Sequence, residues 1–207
     1  MRRIEGEPDL AEGAAHLAAI CPVWAGALPG LDLPLRRRQD GFAAILDAII
    51  GQQISIAAAG AIMARLQQAG LTEPAAIRAA GEDGLRGCGV SGPKIRYLMG
   101  IVAREPDWRA LRNASDDEVI ATLTALPGIG RWTAEIYLAF ALGRSDAFPS
   151  GDLALQESAR LLYGLDQRPS PKLLEQMAEP WRPWRAVAAR ALWSYYRVAK
   201  GRDGVRS

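Results

Sequence analysis

Apolar residues recur every three or four positions along almost the whole chain, and alternating β-branched runs are missing. That pattern predicts helices and no sheet. The spacing places helices near Leu10–Ile20, Gly41–Ile50, Ser55–Gln68, Pro74–Ala80, Pro93–Glu105, Asp116–Ala125, Arg131–Leu142, Leu153–Tyr163, Pro171–Glu179 and Pro183–Lys200. Cap residues support several of these limits. Ser115 followed by Glu118 reads as a capping box, in which hydroxyl and carboxylate satisfy orphan amides reciprocally. Pro183 suits a first helical turn, and Gly70, Gly89 and Gly201 follow helix ends as left-handed glycines do. There is neither an internal repeat nor a low-complexity linker, so the expected class is all-α.

Composition changes this picture little. The 207 residues are 49% apolar and 23% charged, which is ordinary for one globular domain or two closely packed lobes. The net charge of +2 does not announce a partner, but its distribution is uneven. Arg182, Arg185, Arg190, Arg197, Lys200, Arg202 and Arg206 face only Asp203 at the C-terminal end, whereas Glu5, Glu7, Asp9 and Glu12 make the start acidic. A positive end suits a phosphate backbone, and it suits a solvated arginine-rich helix equally well. Two cysteines (Cys21, Cys88) and one histidine (His16) exclude a disulfide scaffold, a zinc site and an iron–sulfur cluster. The charged first ten residues carry no apolar signal core, and the apolar stretch 42–61 is broken by Asp47, Gln52, Gln53 and Ser55. A cytoplasmic, membrane-free monomer is therefore expected.

The most informative stretch is Leu126-Pro127-Gly128-Ile129-Gly130-Arg131-Trp132-Thr133-Ala134, between two predicted helices. Pro127 stops the first helix. Gly128 and Gly130 permit positive φ and remove side chains, so that amides at the next helix start can meet another molecule. Such amides bind phosphate oxygens, and Arg131 and the Thr133 hydroxyl lie beside them. A bare G-x-G here is also explained by a tight helix–helix turn.

The whole segment resembles the hairpin of the helix-hairpin-helix, Gly/Pro-Asp DNA glycosylase superfamily. In that family a catalytic aspartate follows about twenty residues later, and here Phe148-Pro149-Ser150-Gly151-Asp152-Leu153 puts Asp152 twenty positions after Trp132. Ile50-Gly51-Gln52-Gln53-Ile54-Ser55 is similar to the family's early helix junction. Trp181-Arg182-Pro183-Trp184-Arg185 through Trp193 looks like the C-terminal region of the bacterial 3-methyladenine glycosylase II branch. The resemblance spans about residues 40–200. The longer bacterial relatives have an N-terminal sheet domain for which this chain shows no counterpart.

What the resemblance implies is a monofunctional enzyme of base excision repair, acting on double-stranded DNA that contains damaged bases. Strand-nicking relatives carry a lysine nucleophile where Trp132 stands, and the branches with a four-cysteine cluster have cysteines after the aspartate, where this chain has none. An alkylated purine is cationic and leaves easily, so the remaining task is to stabilise an oxocarbenium-like sugar with a carboxylate. Asp152 is the candidate, although the same residue opening a helix is also an ordinary N-cap. Trp132 and Trp193 are candidates to grip the flipped base, since an indole face attracts a cation by about 0.5–2 kcal/mol. Gln52 and Tyr137 complete the expected pocket, although helical phase turns Tyr137 away from Ile136, where some relatives have an aromatic residue.

Trp193 lies about half a revolution from the apolar stripe of Trp184, Val187, Ala188, Ala191 and Tyr195, beside Arg182, Arg190 and Arg197. It is either a stacking residue or part of a second buried face. Gln53 is expected to fill the gap left by the flipped base, with Ser55, Lys94, Gly128, Gly130, Arg131 and Thr133 on the DNA. Backbone carbonyls of Thr124, Leu126 and Ile129 are expected to hold a monovalent cation; no other cofactor is implied. The expected architecture is a single domain of two lobes, 42–144 with the hairpin at 116–142, and 1–41 with 145–207. The cleft between them is expected to hold Asp152, Trp132 and Trp193. Two alternatives remain, a glycosylase for deaminated or oxidised bases and a non-catalytic hairpin module that binds DNA.

Overall fold

The computed structural model describes residues 1–201, so Arg202, Asp203 and Arg206 of the charged end lie outside the described residues. The described residues contain eleven α-helices, and the one element of β character is an isolated bridge between Arg3 and Arg144. The helices are α1 (Glu7–Ile20), α2 (Pro22–Ala27), α3 (Phe42–Gly51), α4 (Ile56–Gln68), α5 (Pro74–Gly87), α6 (Gly92–Arg104), α7 (Asp116–Thr124), α8 (Arg131–Ile136), α9 (Leu153–Leu162), α10 (Pro171–Ala178) and α11 (Arg185–Lys200).

Capping chemistry sets many of the starts. The Ser55 and Ser170 hydroxyls accept from Ala58 N and Leu173 N, both at 3.2 Å, and fix the first turns of α4 and α10. The Ser115–Glu118 capping box forms as expected at α7. Three expectations need correction. Residues 22–27 form a further helix that the pattern did not predict. The helix after Pro74 continues to Gly87, interrupted at Gly81 with φ 65°. Pro183 precedes α11 rather than opening it, because Trp184 is the N-cap residue.

The chain divides into two compact units, one contiguous (Arg38–Tyr137) and one composite (Met1–Arg37 with the chain from Leu138 onward). The divisions fall at 37/38 and 137/138, against the expected 41/42 and 144/145. In the contiguous unit α6 packs on both α3 and α5, α4 on α3, and α8 on α7. Ile45, Ile49, Ile50, Ile77, Leu85, Leu98, Ile101, Val119 and Leu123 are all fully buried there. Each such side chain contributes about 1.5–3 kcal/mol by leaving water.

The composite unit is centred on α11, which packs against α1 and α9. A Cβ on Gly13 of α1 would come within 2.6 Å of Val187, so the two helices meet at a glycine. From Ala186 to Ser194 every residue of α11 is buried. The expected one-sided apolar stripe is therefore corrected, because a helix enclosed on all sides shows no polar face over those turns. Trp24, Phe148, Tyr163 and Trp181 form an aromatic cluster with centroids 5.3–6.3 Å apart, edge-to-face except for the stacked Tyr163–Trp181 pair. Four basic side chains of the C-terminal end have acidic partners. Arg182 and Arg185 share Asp146 and Glu179, Arg197 pairs with Asp32, and Lys200 pairs with Glu157.

Candidate active site

The hairpin is built by two close contacts with α6. Pro127 packs where a Cβ on Gly100 would lie 2.8 Å from its ring. Gly128 has φ 79°, and a Cβ there would lie 2.5 Å from the Tyr97 ring, so glycine is required on both counts. Gly130 differs from the expectation. Its φ is −93°, and an added Cβ would meet nothing within 4 Å. The fold itself does not demand a glycine at 130, and its missing side chain leaves open space beside the first amides of α8. No side chain caps this helix start. Arg131 is mostly exposed and its Nε donates to Glu135 Oε1 at 2.8 Å, while Trp132 is 42% exposed. Thr133 is buried, which corrects the expectation of an accessible hydroxyl. The helix also changes character after Ile136, where residues Tyr137–Ala141 form a π-helical turn.

The junction after α3 is held from two sides. Gln52 Nε2 donates to the carbonyl of Gly128 at 2.9 Å, which brings two predicted site residues into direct contact. Lys94 is 8% exposed, and its ammonium donates to Ile50 O at 2.7 Å, at the end of α3. Lys94 is thus corrected from a solvent-facing phosphate contact to a tie between α6 and α3. Gln53 sits at the tip with φ 57°, a left-handed conformation that costs a non-glycine residue free energy. Ile54 and Ile56 follow it at 38% and 51% exposure. Sequence reasoning did not single out these two isoleucines; the available signal was apolar residues just after a polar loop tip. The Tyr137 hydroxyl accepts from Gly41 N at 2.9 Å and is buried, and that burial pushes the phenol above its usual range. Tyr137, expected in the base pocket, has its hydroxyl engaged with the residue before α3.

Asp152 stands in a loop fixed by its own backbone. Asp152 N donates to Pro149 O at 2.9 Å, and Gln156 Nε2 reaches back from α9 to Ser150 O at 2.9 Å. The carboxylate caps α9, where Oδ1 accepts from Ala154 N at 2.8 Å and Leu155 N at 3.0 Å. These two amide bonds to one oxygen set the side-chain rotamer. Asp152 is 6% exposed, and the following Leu153 is 64% exposed. Ser158, one turn further, donates to Leu192 O at 2.7 Å and ties α9 to α11. Gln156 and Ser158 were missed in the sequence because polar residues inside a helix give no sign of their partners.

Trp193 is 4% exposed and lies against Phe140, with ring centroids 5.6 Å apart. Of the two readings of its sequence position, burial on a second face describes where it sits. Arg190, 2% exposed, lies over the same Phe140 ring, its guanidinium carbon 4.6 Å from the centroid. The carbonyls expected to hold a cation lie in the hairpin. The Thr124 hydroxyl turns back to Ile120 O at 2.7 Å, and Leu126 O accepts a long 3.3 Å bond from Ile129 N. Carbonyl oxygens of 124, 126 and 129 are hard donors that suit an alkali cation.

Known proteins share this arrangement. The model of the HhH-GPD superfamily of base excision DNA repair proteins matches residues 46–183. The DNA-3-methyladenine glycosylase 1 of Schizosaccharomyces pombe is 30% identical, over 96% of this chain and 92% of its own length. The crystal structure of a DNA-3-methyladenine glycosidase from Bacillus halodurans has a TM-score of 0.74 and 34% identity, covering 84% of this chain and 82% of its own. That of the Schizosaccharomyces pombe 3-methyladenine DNA glycosylase in complex with abasic DNA has a TM-score of 0.76 and 27% identity, covering 95% of this chain and all of that one. With its hairpin, its all-helical fold and two thirds of its length within the family model, this chain belongs to the HhH-GPD superfamily of base excision DNA repair proteins.

Proposed function

We infer that this protein is a DNA-3-methyladenine glycosylase, which excises alkylated bases from DNA in base excision repair. The reaction is hydrolysis: the C1′–N bond breaks, its electron pair goes to the purine, and a water oxygen takes its place at C1′. A cationic purine becomes neutral as it leaves, so departure needs little acid assistance. Positive charge builds on the sugar, and Asp152 is the group assigned to stabilise it and to accept the proton of the attacking water. The observation that carries this reading is the cap geometry of Asp152: Oδ1 takes both amide bonds, so the orientation of the carboxyl group is fixed before substrate arrives.

The open start of α8, with Gly128 and Gly130 before it, is assigned to a DNA phosphate. An alkali cation bound by the carbonyls of Thr124, Leu126 and Ile129 would add positive charge beside that phosphate. Gln53 is assigned to the duplex as the residue that fills the vacated stack; the exposed Ile54 and Ile56 beside it support an apolar insertion. The half-exposed indole of Trp132 is the surface assigned to the cationic base. Trp132 also supplies no amine, so the product is an intact strand with an abasic site and no Schiff base forms.

The test is release of free base from methylated DNA, compared with inosine-containing DNA, with the products resolved on a denaturing gel. Release from methylated DNA without strand cleavage is expected. Release from inosine-containing DNA alone overturns the alkylation reading, and borohydride-trappable enzyme–DNA adducts overturn the assignment of simple hydrolysis.

A further inference from the structure

One face of α11 contains three buried polar atoms that nothing among the described residues satisfies. Arg190, Trp193, Ser194 and Arg197 follow the i, i+3, i+4, i+7 spacing, so they share one side of the helix. Together with Pro34 and Arg36 they line a small pocket, with room for about one water-sized sphere. Three of these residues have a buried polar atom without a hydrogen-bond partner: Arg190 Nε, Trp193 Nε1 and Ser194 Oγ. All three residues are at least nine-tenths buried, at 2%, 4% and 5% exposure. The rest of the Arg190 guanidinium is spent on carbonyls, with Nη1 on Ala186 O at 2.8 Å and Nη2 on Ala139 O and Leu35 O at 3.2 and 3.3 Å. Among the described residues no carboxylate pairs with it. Arg197, on the same face, pairs with the largely exposed Asp32 at 3.5 Å.

Such an arrangement is costly as it stands. A buried guanidinium without a counter-charge pays desolvation in full, and each orphan donor adds the penalty of an unmade bond. Burial together with Arg36 and Arg37 lowers the Arg190 pKa to about 9. At neutral pH the group therefore remains a cation, one whose charge the surroundings oppose. Both Arg190 Nε and Trp193 Nε1 can only donate, so the occupant must accept, and the arginines around it select negative charge.

We propose that this pocket seats one small anion of halide size, held by Arg190 Nε, Trp193 Nε1 and Ser194 Oγ, with Arg36 and Arg197 supplying the surrounding charge. A tetrahedral oxyanion is too large for the space, and a water molecule leaves the buried charge uncompensated. The proposal stands on the composite unit alone and is independent of the reaction assigned above.

Two measurements test it. Crystals soaked in sodium bromide should show one anomalous peak bonded to the three orphan atoms. In solution, exchanging gluconate for chloride at constant ionic strength should raise Tm, by about 3–5 °C at ten times the dissociation constant. Ser194→Ala and Trp193→Phe, which each remove one donor, should reduce that rise, and together they should abolish it. A water peak with equal Tm in both salts overturns the proposal. So does bromide found only elsewhere, an oxyanion in the pocket, or a chloride effect that survives in the double variant.

Discussion

The starts of α8 and α9 pose the same chemical problem and solve it in opposite ways. Each exposes amide hydrogens that the helix cannot satisfy. At α9 the chain supplies its own acceptor, the Asp152 carboxylate, bonded to Ala154 N and Leu155 N. At α8 it supplies none: Gly130 has no side chain, and a Cβ there would meet only open space. A helix start completed from within orients a charge for chemistry, whereas one left open is a place for an acceptor from outside. The two uses depend on a single residue type at the cap.

The largest effect should follow from breaking the completed start without unfolding it. Asparagine caps about as well as aspartate, so Asp152→Asn should keep Tm within a few degrees while base release falls by about 100- to 1,000-fold. Asp152→Ala should lose the same activity and about 1 kcal/mol of stability besides. Equal base release by Asp152→Asn and wild type would remove the carboxylate from the mechanism. Next comes the turn that precedes the open start. Gly128→Ala meets both the positive φ and the Tyr97 ring, and a loss of about 1–3 kcal/mol is expected in chemical denaturation.

A third variant converts one start into the other. Gly130→Asp gives α8 its own acceptor, so Tm should hold or rise slightly while affinity for DNA falls by about tenfold or more. Unchanged affinity would mean that phosphate does not bind at these amides. The smallest effect belongs to α7, whose start is completed by Ser115 and Glu118. The Ser115 hydroxyl and amide, both donating to the carboxylate, hold the Glu118 pKa below its usual value. A lowered folded-state pKa gives stability that is present above the unfolded value and lost as pH falls through the folded one. Wild type should therefore exceed Glu118→Gln slightly in Tm at pH 7, and the gap should close on acidification below the folded pKa.

These helix starts were the part of the molecule most legible from sequence, because caps are local. Ser55, Ser115 and the Pro127-Gly128 stop all needed only near neighbours. Residues whose roles depend on distant partners were not legible. Lys94 looked like a surface charge until the carbonyl of Ile50 accounted for it. Trp193 could be read two ways because a 3.6-residue period assumes one buried face, and α11 is buried on every side from Ala186 to Ser194. The regular period also failed at 137–141, where a π turn changes the helical phase within the predicted helix 131–142. α2, at six residues, is too short to show a period at all. Of the candidate site, the hairpin and the Asp152 loop stood out by spacing, while Gln156, Ile54 and Leu153 became visible only once their surroundings were known.

The interleaving of the two units in the chain has a consequence for how the protein is made. Residues 38–137 emerge from the ribosome as an uninterrupted stretch and hold every segment of their own core. The other unit must wait: α1 finds its partner α11 only when the last helix has been synthesised. Closing so long a loop costs little more entropy than closing a short one, since the cost grows only with the logarithm of length. The delay is in time rather than in free energy. Until it ends, the first helix packs on its neighbour α2 but lacks α11, and a chain stalled before α11 would be vulnerable there to proteolysis and aggregation.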